Sequence, residues 1–106
     1  MTERVVDYVT LLSPTDRRRH HHITVRGKVT EFMVQYETRI ADSWCPVIRY
    51  DSAHGYGHMH RFYPYRKARK LRLDVEDFNE ALTFAEADIN STWQKYKQRY
   101  LREVGV

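Results

Sequence analysis

Only one cysteine, Cys45, occurs in the 106 residues, so an internal disulfide framework is excluded. It lies in the apolar run Trp44-Cys45-Pro46-Val47-Ile48, which predicts a buried, inert thiol, because nothing nearby in sequence would depress its pKa. No apolar stretch is long enough for a signal peptide or a bilayer span, which predicts a cytoplasmic chain with no membrane partner. Gly-rich phosphate loops, a nucleophile elbow and a Rossmann fingerprint are absent too, so nucleotide-cradling and serine-hydrolase designs have no motif to stand on. Neither a cysteine pair nor an HExxH helix is there to support a common zinc design.

What is present suffices for a single domain over residues 1–106 with one core, since 42% of the residues are hydrophobic and 13% aromatic. The net charge is +4, but its distribution is uneven. Acidic residues crowd between Asp74 and Ile89, where there is no Lys or Arg, so the rest of the chain is much more basic than the sum suggests. Basic residues gather at Arg17-Arg18-Arg19, at Arg66, Lys67, Arg69, Lys70 and Arg72, and at Lys95, Lys97, Arg99 and Arg102. Such a field attracts polyanions through counterion release, and it also resembles an ordinary solvated surface.

The pattern along the chain predicts an α+β fold: an antiparallel meander of about four strands within residues 4–63, a basic connector over 64–73, and one long amphipathic helix over 74–104. Arg4 to Leu12 is rich in β-formers and ends at Ser13-Pro14-Thr15-Asp16. Arg17 to His22 reads as a polar loop or hairpin end, and Gly27 as a bulge or bend. Phe32, Val34, Tyr36, Thr38 and Ile40 alternate with Glu31, Gln35, Glu37 and Arg39, which marks a half-buried strand. After a hairpin turn at Ala41-Asp42-Ser43, the same alternation sets Trp44, Ile48 and Tyr50 against Val47, Arg49 and Asp51. Ser52 to Gly57 is a loop, and His58 to Tyr63 a further strand ended by Pro64.

Asp74 is the expected helix N-cap, with Asp77 at N3 and Gly105 as the stop. Phe78, Leu82, Ala85, Ile89, Trp93, Tyr96 and Tyr100 recur at three- and four-residue steps and form an apolar stripe. Thirty-odd helical residues would extend about 45 Å. A domain of this length has a radius of gyration near ~13 Å, so the helix is expected to overhang its sheet. It then either breaks near Asn90-Ser91-Thr92 or, as the preferred reading, stays continuous and presents Trp93, Tyr96 and Tyr100 to a second copy or a partner protein.

Candidate chemistry concentrates between Arg49 and Arg61. Alternation puts Arg49 with Asp51 on one face of their strand and His58 with His60 on one face of the next, although the register that would unite the two pairs cannot be read. With His54, these residues suit acid–base cleavage of RNA. A 2′-hydroxyl loses a proton, the leaving oxygen gains one, and cations support the phosphorane. Histidine can serve either transfer; Asp51 would orient an imidazole, and Arg49 or Arg61 would hold the phosphate. Tyr56 or Tyr50 could stack a base, and Arg66, Lys67, Arg69 and Lys70 could follow the backbone. No cofactor is required. The alternative is a metal site, zinc or another divalent transition ion, on His54, His58 and His60, with Asp51 as another possible ligand. The plainest reading is a set of half-exposed polar residues with an Arg49–Asp51 ion pair. His20-His21-His22 reads as a solvated loop.

The segments Phe32-Met33-Val34-Gln35-Tyr36-Glu37, Pro46 to Gly55, and Glu80-Ala81-Leu82-Thr83-Phe84-Ala85 resemble a family of small prokaryotic proteins of uncharacterised function. Around Arg49-Tyr50-Asp51-Ser52-Ala53-His54 the chain is in turn similar to the TumE-type toxins of toxin–antitoxin modules. That resemblance implies a prokaryotic cytoplasmic protein acting on RNA, with a cognate antitoxin as partner. The toxins carry a denser histidine–proline cluster after the aspartate, where this chain has Ala53-His54-Gly55-Tyr56-Gly57.

Overall fold

The computed structural model describes residues 2–75 and 77–105. Six strands and one helix follow one another: β1 Glu3–Ser13, β2 Asp16–Val25, β3 Lys28–Ile40, β4 Ser43–Asp51, β5 His58–Tyr63, β6 Arg66–Arg72 and α1 Phe78–Val104. The strands form one antiparallel sheet in chain order. Two hairpins turn on residue pairs with positive φ, Arg26-Gly27 and Ala41-Asp42, whose backbone twist matches that of the flanking strands.

The sheet has two strands more than its alternation suggests. Arg17 to His22 is not a loop but the heart of β2, and the basic stretch after Pro64 is not a connector but β6. Both carry polar side chains on both faces, so neither shows the apolar alternation of a half-buried strand. β2 is polar because each of its faces meets acids: Glu37 and Glu31 on one side, Glu86 on the other. β6 is an edge strand, where Lys and Arg discourage pairing with another chain.

β4 contains a second departure. Tyr36 pairs with Ile48 but Glu37 pairs with Pro46, so Val47 is an extra residue at a bulge, and Pro46, which has no N–H, is tolerated there. The bulge reverses the alternation before it. Val47 and Ile48 are both in the core, whereas Trp44, expected beside Ile48 and Tyr50, stands opposite Arg39 on the other face. Cys45 is half-buried, its thiol directed to the carbonyl of Ser43.

Helix α1 starts at Phe78, not Asp74. Asp77 is the N-cap and accepts a hydrogen bond from the Glu80 N–H at 2.7 Å; residue 76, inside the expected first turn, lies outside the described residues. Gly105 ends the helix in the left-handed conformation that its missing Cβ permits. The helix is continuous through Asn90-Ser91-Thr92. It needs no overhang, because 27 helical residues span about 40 Å and the 13 residues of β3 about 43 Å. The molecule is accordingly elongated, 49 × 26 × 21 Å.

The apolar stripe of α1 lies on Phe32, Val34, Tyr36, Ile48, Tyr50 and Met59. Trp93 packs on Tyr36, Tyr100 is buried, and Tyr50 and Tyr96 both donate to Asp88 Oδ2 at 2.5 Å. The aromatic half of the helix is thus covered by the chain's own sheet, and a second copy is not needed to shield it. Ala81 and Ala85, both fully buried, let the helix axis approach β3 closely. Ala85→Leu is therefore expected to cost about 1–3 kcal/mol by overpacking, read as a lower urea midpoint with an unchanged slope. No helix among the described residues is long and apolar enough to cross a membrane.

Candidate functional site on the open sheet face

With α1 on one face, the other face of the sheet is open, and the pairing register decides what stands on it. Arg49 lies opposite His60 and Asp51 opposite His58. Directly opposed residues share a face, so all four side chains stand together on the open side.

The Asp51 carboxylate is the centre of this group. Its Oδ1 is 3.5 Å from His58 Nδ1 and its Oδ2 is 3.2 Å from His60 Nε2, while the Ala53 N–H donates to Oδ1 at 3.2 Å. His58 is only 1% exposed. Tyr56 lies on its ring at 4.1 Å, the Arg72 guanidinium covers Tyr56 at 4.5 Å, and His54 meets the His58 ring edge-on at 6.0 Å. Both His58 nitrogens and His60 Nε2 are buried without a hydrogen-bond partner. Burial holds the His60 imidazole below its ordinary pKa; Asp51 opposes this, and Arg49, Lys70 and His58 add to it.

The loop between β4 and β5 closes this arrangement. A 3-10 turn at Ala53–Gly55 contains His54 at φ 67°, which leaves its imidazole exposed at the rim. Gly57 accepts the Leu73 N–H at 2.9 Å, and a Cβ there would meet Leu73 Cδ1 at 3.1 Å, so a side chain at this position would press the Leu73 side chain aside by a few tenths of an ångström.

Beside the group lies a cleft of 570 Å³ lined by Arg19, His21, Gln35, Arg49, Asp51 and His54 among others. Arg49 is held across three strands. Its Nε donates to Gln35 Oε1 at 2.6 Å, Gln35 donates to Glu37, and Arg17 donates to Glu37 at 2.5 Å while its guanidinium lies over Trp44. Among the described residues no carboxylate pairs with Arg49; the expected Arg49–Asp51 ion pair does not form. His21 bridges Asp7 and Glu31 at 2.7 Å each, and those two bonds raise its pKa.

Several residues expected at the site lie elsewhere. Arg61, expected at the phosphate, faces the helix side opposite Ile48, near Tyr96 and Arg99. Arg66 turns to the helix and pairs with Glu103 at 2.7 Å, and Arg69 shares the face of Arg61. Lys67 is exposed on the edge strand. Of the expected basic track only Lys70, opposite His60, borders the site, and Arg72, opposite His58, joins it. Arg19, His21 and Gln35 were missed, though the spacing of Arg17, Arg19 and His21 at every second residue carried the signal. His20 and His22 stand on the helix face, where His20 contacts Glu86 and its Nε2 lies 2.6 Å from His22 Nδ1. Burial, with the His20 and His21 charges, lowers the His22 pKa.

Fold and site together define a small α+β domain: a meander covered by a helix on one side and bearing a histidine–aspartate–arginine group on the other. The chain belongs to the family described as Domain of unknown function (DUF7718), whose model matches residues 1–106. No curated protein and no solved structure matches the chain significantly, and the family match carries no link to TumE-type toxins.

Proposed function

We propose that the open sheet face binds RNA and cleaves its phosphodiester backbone, in a cytoplasmic setting. The observation that carries this reading is the convergence of Arg49, Asp51, His58 and His60 on one face, beside a cleft that also holds Arg19 and exposed His54. Arg49 presents a guanidinium fork with no competing carboxylate, suited to two phosphate oxygens. Arg19 adds a second positive charge across the cleft. The Arg72 guanidinium over Tyr56 offers a flat, charged surface for a base.

In the proposed reaction the Asp51–His58–His60 group accepts the 2′-hydroxyl proton. The 2′-oxygen bonds to phosphorus, the bond from phosphorus to the 5′-oxygen breaks, and His54 gives that oxygen its proton. Arg49 and Arg19 carry the charge of the phosphorane between these steps. Exchange with water restores both protonation states. An antitoxin-like protein would fit this reading as the partner that restrains the activity.

The test is incubation of untagged protein with a short single-stranded RNA beside Arg49→Ala and His54→Ala variants. Wild type is expected to cleave, and Arg49→Ala to lower the rate about 100-fold. Equal background cleavage by all three proteins overturns the enzyme reading. A second reading, a non-enzymatic module that docks a protein, draws on the β1 edge strand, where Val5, Val9 and Leu11 share one face, with Asp7 between Val5 and Val9, and are 53%, 55% and 68% exposed. The C-terminal helix, whose stripe is already covered, does not favour it.

A further inference from the structure

From the same group we infer that Asp51, His58 and His60 bind one divalent first-row transition ion, with zinc as the representative probe. The inferred binding stands on its own; its catalytic meaning rests on the RNA-cleavage reading.

Three observations carry it. The first is spacing. Two ligand atoms each about 2.0–2.1 Å from a tetrahedral ion lie about 3.4 Å apart. His58 Nδ1 lies 3.5 Å from one Asp51 oxygen and His60 Nε2 lies 3.2 Å from the other, each close to that spacing, and one ligand atom from each residue falls within 4.8 Å of the others.

The second is unmet polarity. His58 is 1% exposed, and neither of its nitrogens has a hydrogen-bond partner; His60 Nε2 is likewise buried and unpartnered. A buried polar atom without a partner costs about 1–3 kcal/mol, and two of these three, His58 Nδ1 and His60 Nε2, stand 3.5 and 3.2 Å from the Asp51 carboxylate without forming a hydrogen bond to it. A coordinate bond to one ion satisfies the two nitrogens nearest the carboxylate.

The third is the donor set and its surroundings. Two imidazoles and one carboxylate suit zinc, iron, cobalt or nickel, whereas magnesium and calcium favour all-oxygen sites. The Ala53 N–H fixes Asp51, and Tyr56 under Arg72 closes the side of His58 away from solvent. Asp51 lines the cleft, so a fourth coordination position would open toward the place assigned to the scissile phosphate. Three protein ligands with one open position is the pattern of a catalytic rather than a structural ion. An ion-bound hydroxide would then take the 2′-hydroxyl proton and become water.

His54, the residue that the His-x3-His-x-His spacing offered as a ligand, is outside this set. It keeps its place at the rim as the proton donor.

The experiment uses untagged chain without RNA. Cobalt(II) and zinc(II) are titrated into wild type, Asp51→Asn and His60→Gln, with bound metal measured by elemental analysis after gel filtration and cobalt followed by its visible d–d bands. Far-UV circular dichroism checks that each variant is folded. Asp51→Asn changes no volume, so it is the variant that keeps the test valid should His60→Gln unfold. Wild type is expected to retain one ion per chain and to show cobalt bands of a low-symmetry site. Asp51→Asn should weaken binding at least tenfold. Folded wild type that retains no ion overturns the inference, as does equal retention by wild type and folded Asp51→Asn. A bound ion without RNA cleavage would sink the RNA reading and leave the metal site intact.

Discussion

Replacing Asp16 with alanine should lower stability by about 3–5 kcal/mol, the range seen when one partner of a buried charged network is removed. Asp16 is fully buried. Its Oδ1 accepts from the Tyr36 hydroxyl at 2.6 Å, and its Oδ2 from Ser13 at 2.5 Å, Thr15 at 3.0 Å and the Lys97 ammonium at 2.9 Å. One carboxylate therefore ties the β1–β2 turn, the centre of β3 and α1 together. Alanine leaves the buried Tyr36 hydroxyl and the Lys97 charge without their acceptor. The measurement is urea unfolding at neutral pH, and a loss below 1 kcal/mol would contradict the account.

The same residue sets an acid limit. Burial alone would raise the Asp16 pKa, but the bonds from Ser13, Tyr36, Lys97 and Thr38 outweigh it and bring the pKa down from 3.8 to about 2. A carboxyl group depressed in the folded state stabilises above its unfolded pKa and loses that contribution as the pH falls through the folded value. Wild type should therefore lose roughly 2 kcal/mol between pH 4.5 and 1.5 on account of Asp16. Asp16→Asn, which does not ionise, should lack that component of the acid transition.

Glu86→Ala should be comparably damaging, at about 3–5 kcal/mol. Glu86 projects from α1 onto β2, where Oε2 is 3.0 Å from Arg18 Nε and Oε1 meets His20 Nδ1. Arg18 is itself largely buried, with further contacts to Asn90 and, at 3.4 Å, Thr10. Alanine would strand the guanidinium under the helix and unpin His20, which stacks on Tyr8 at 4.5 Å. If the stranded charge is the cause, Arg18→Met in the Glu86→Ala background should recover at least half of the loss. Failure of the double variant to recover would place the cost in lost packing instead.

The legible parts of the sequence were those in which one face of an element is apolar and the other polar. β3 shows this over Phe32 to Ile40, and α1 over Phe78 to Tyr100, so both were readable, including the stop at Gly105. β2 was opaque because its inward side chains, Asp16, Arg18 and His20, are as polar as its outward ones; each also has a partner 66 to 81 residues away on α1. No local window contains Glu86 or Lys97. The Val47 bulge was equally hidden, since one extra residue shifts parity without changing composition. The same logic divides the site. Arg49, Asp51, His58 and His60 follow from alternation within two strands, and the register across the loop united them. Arg61 failed because alternation, applied one residue beyond His60, already placed it on the opposite face. The burial of His58 depends on Tyr56 and Arg72 folding over it, which strand periodicity does not encode.

The strand order has a consequence for biosynthesis. Each strand pairs with its neighbour in sequence, so the hairpins close over short loops and can form successively as the chain leaves the ribosome. The helix that covers them is made after all six strands. Until α1 emerges, the nascent sheet carries Phe32, Val34, Tyr36, Ile48 and Tyr50 as a bare, greasy underside, and that interval is when the newborn protein most needs a chaperone.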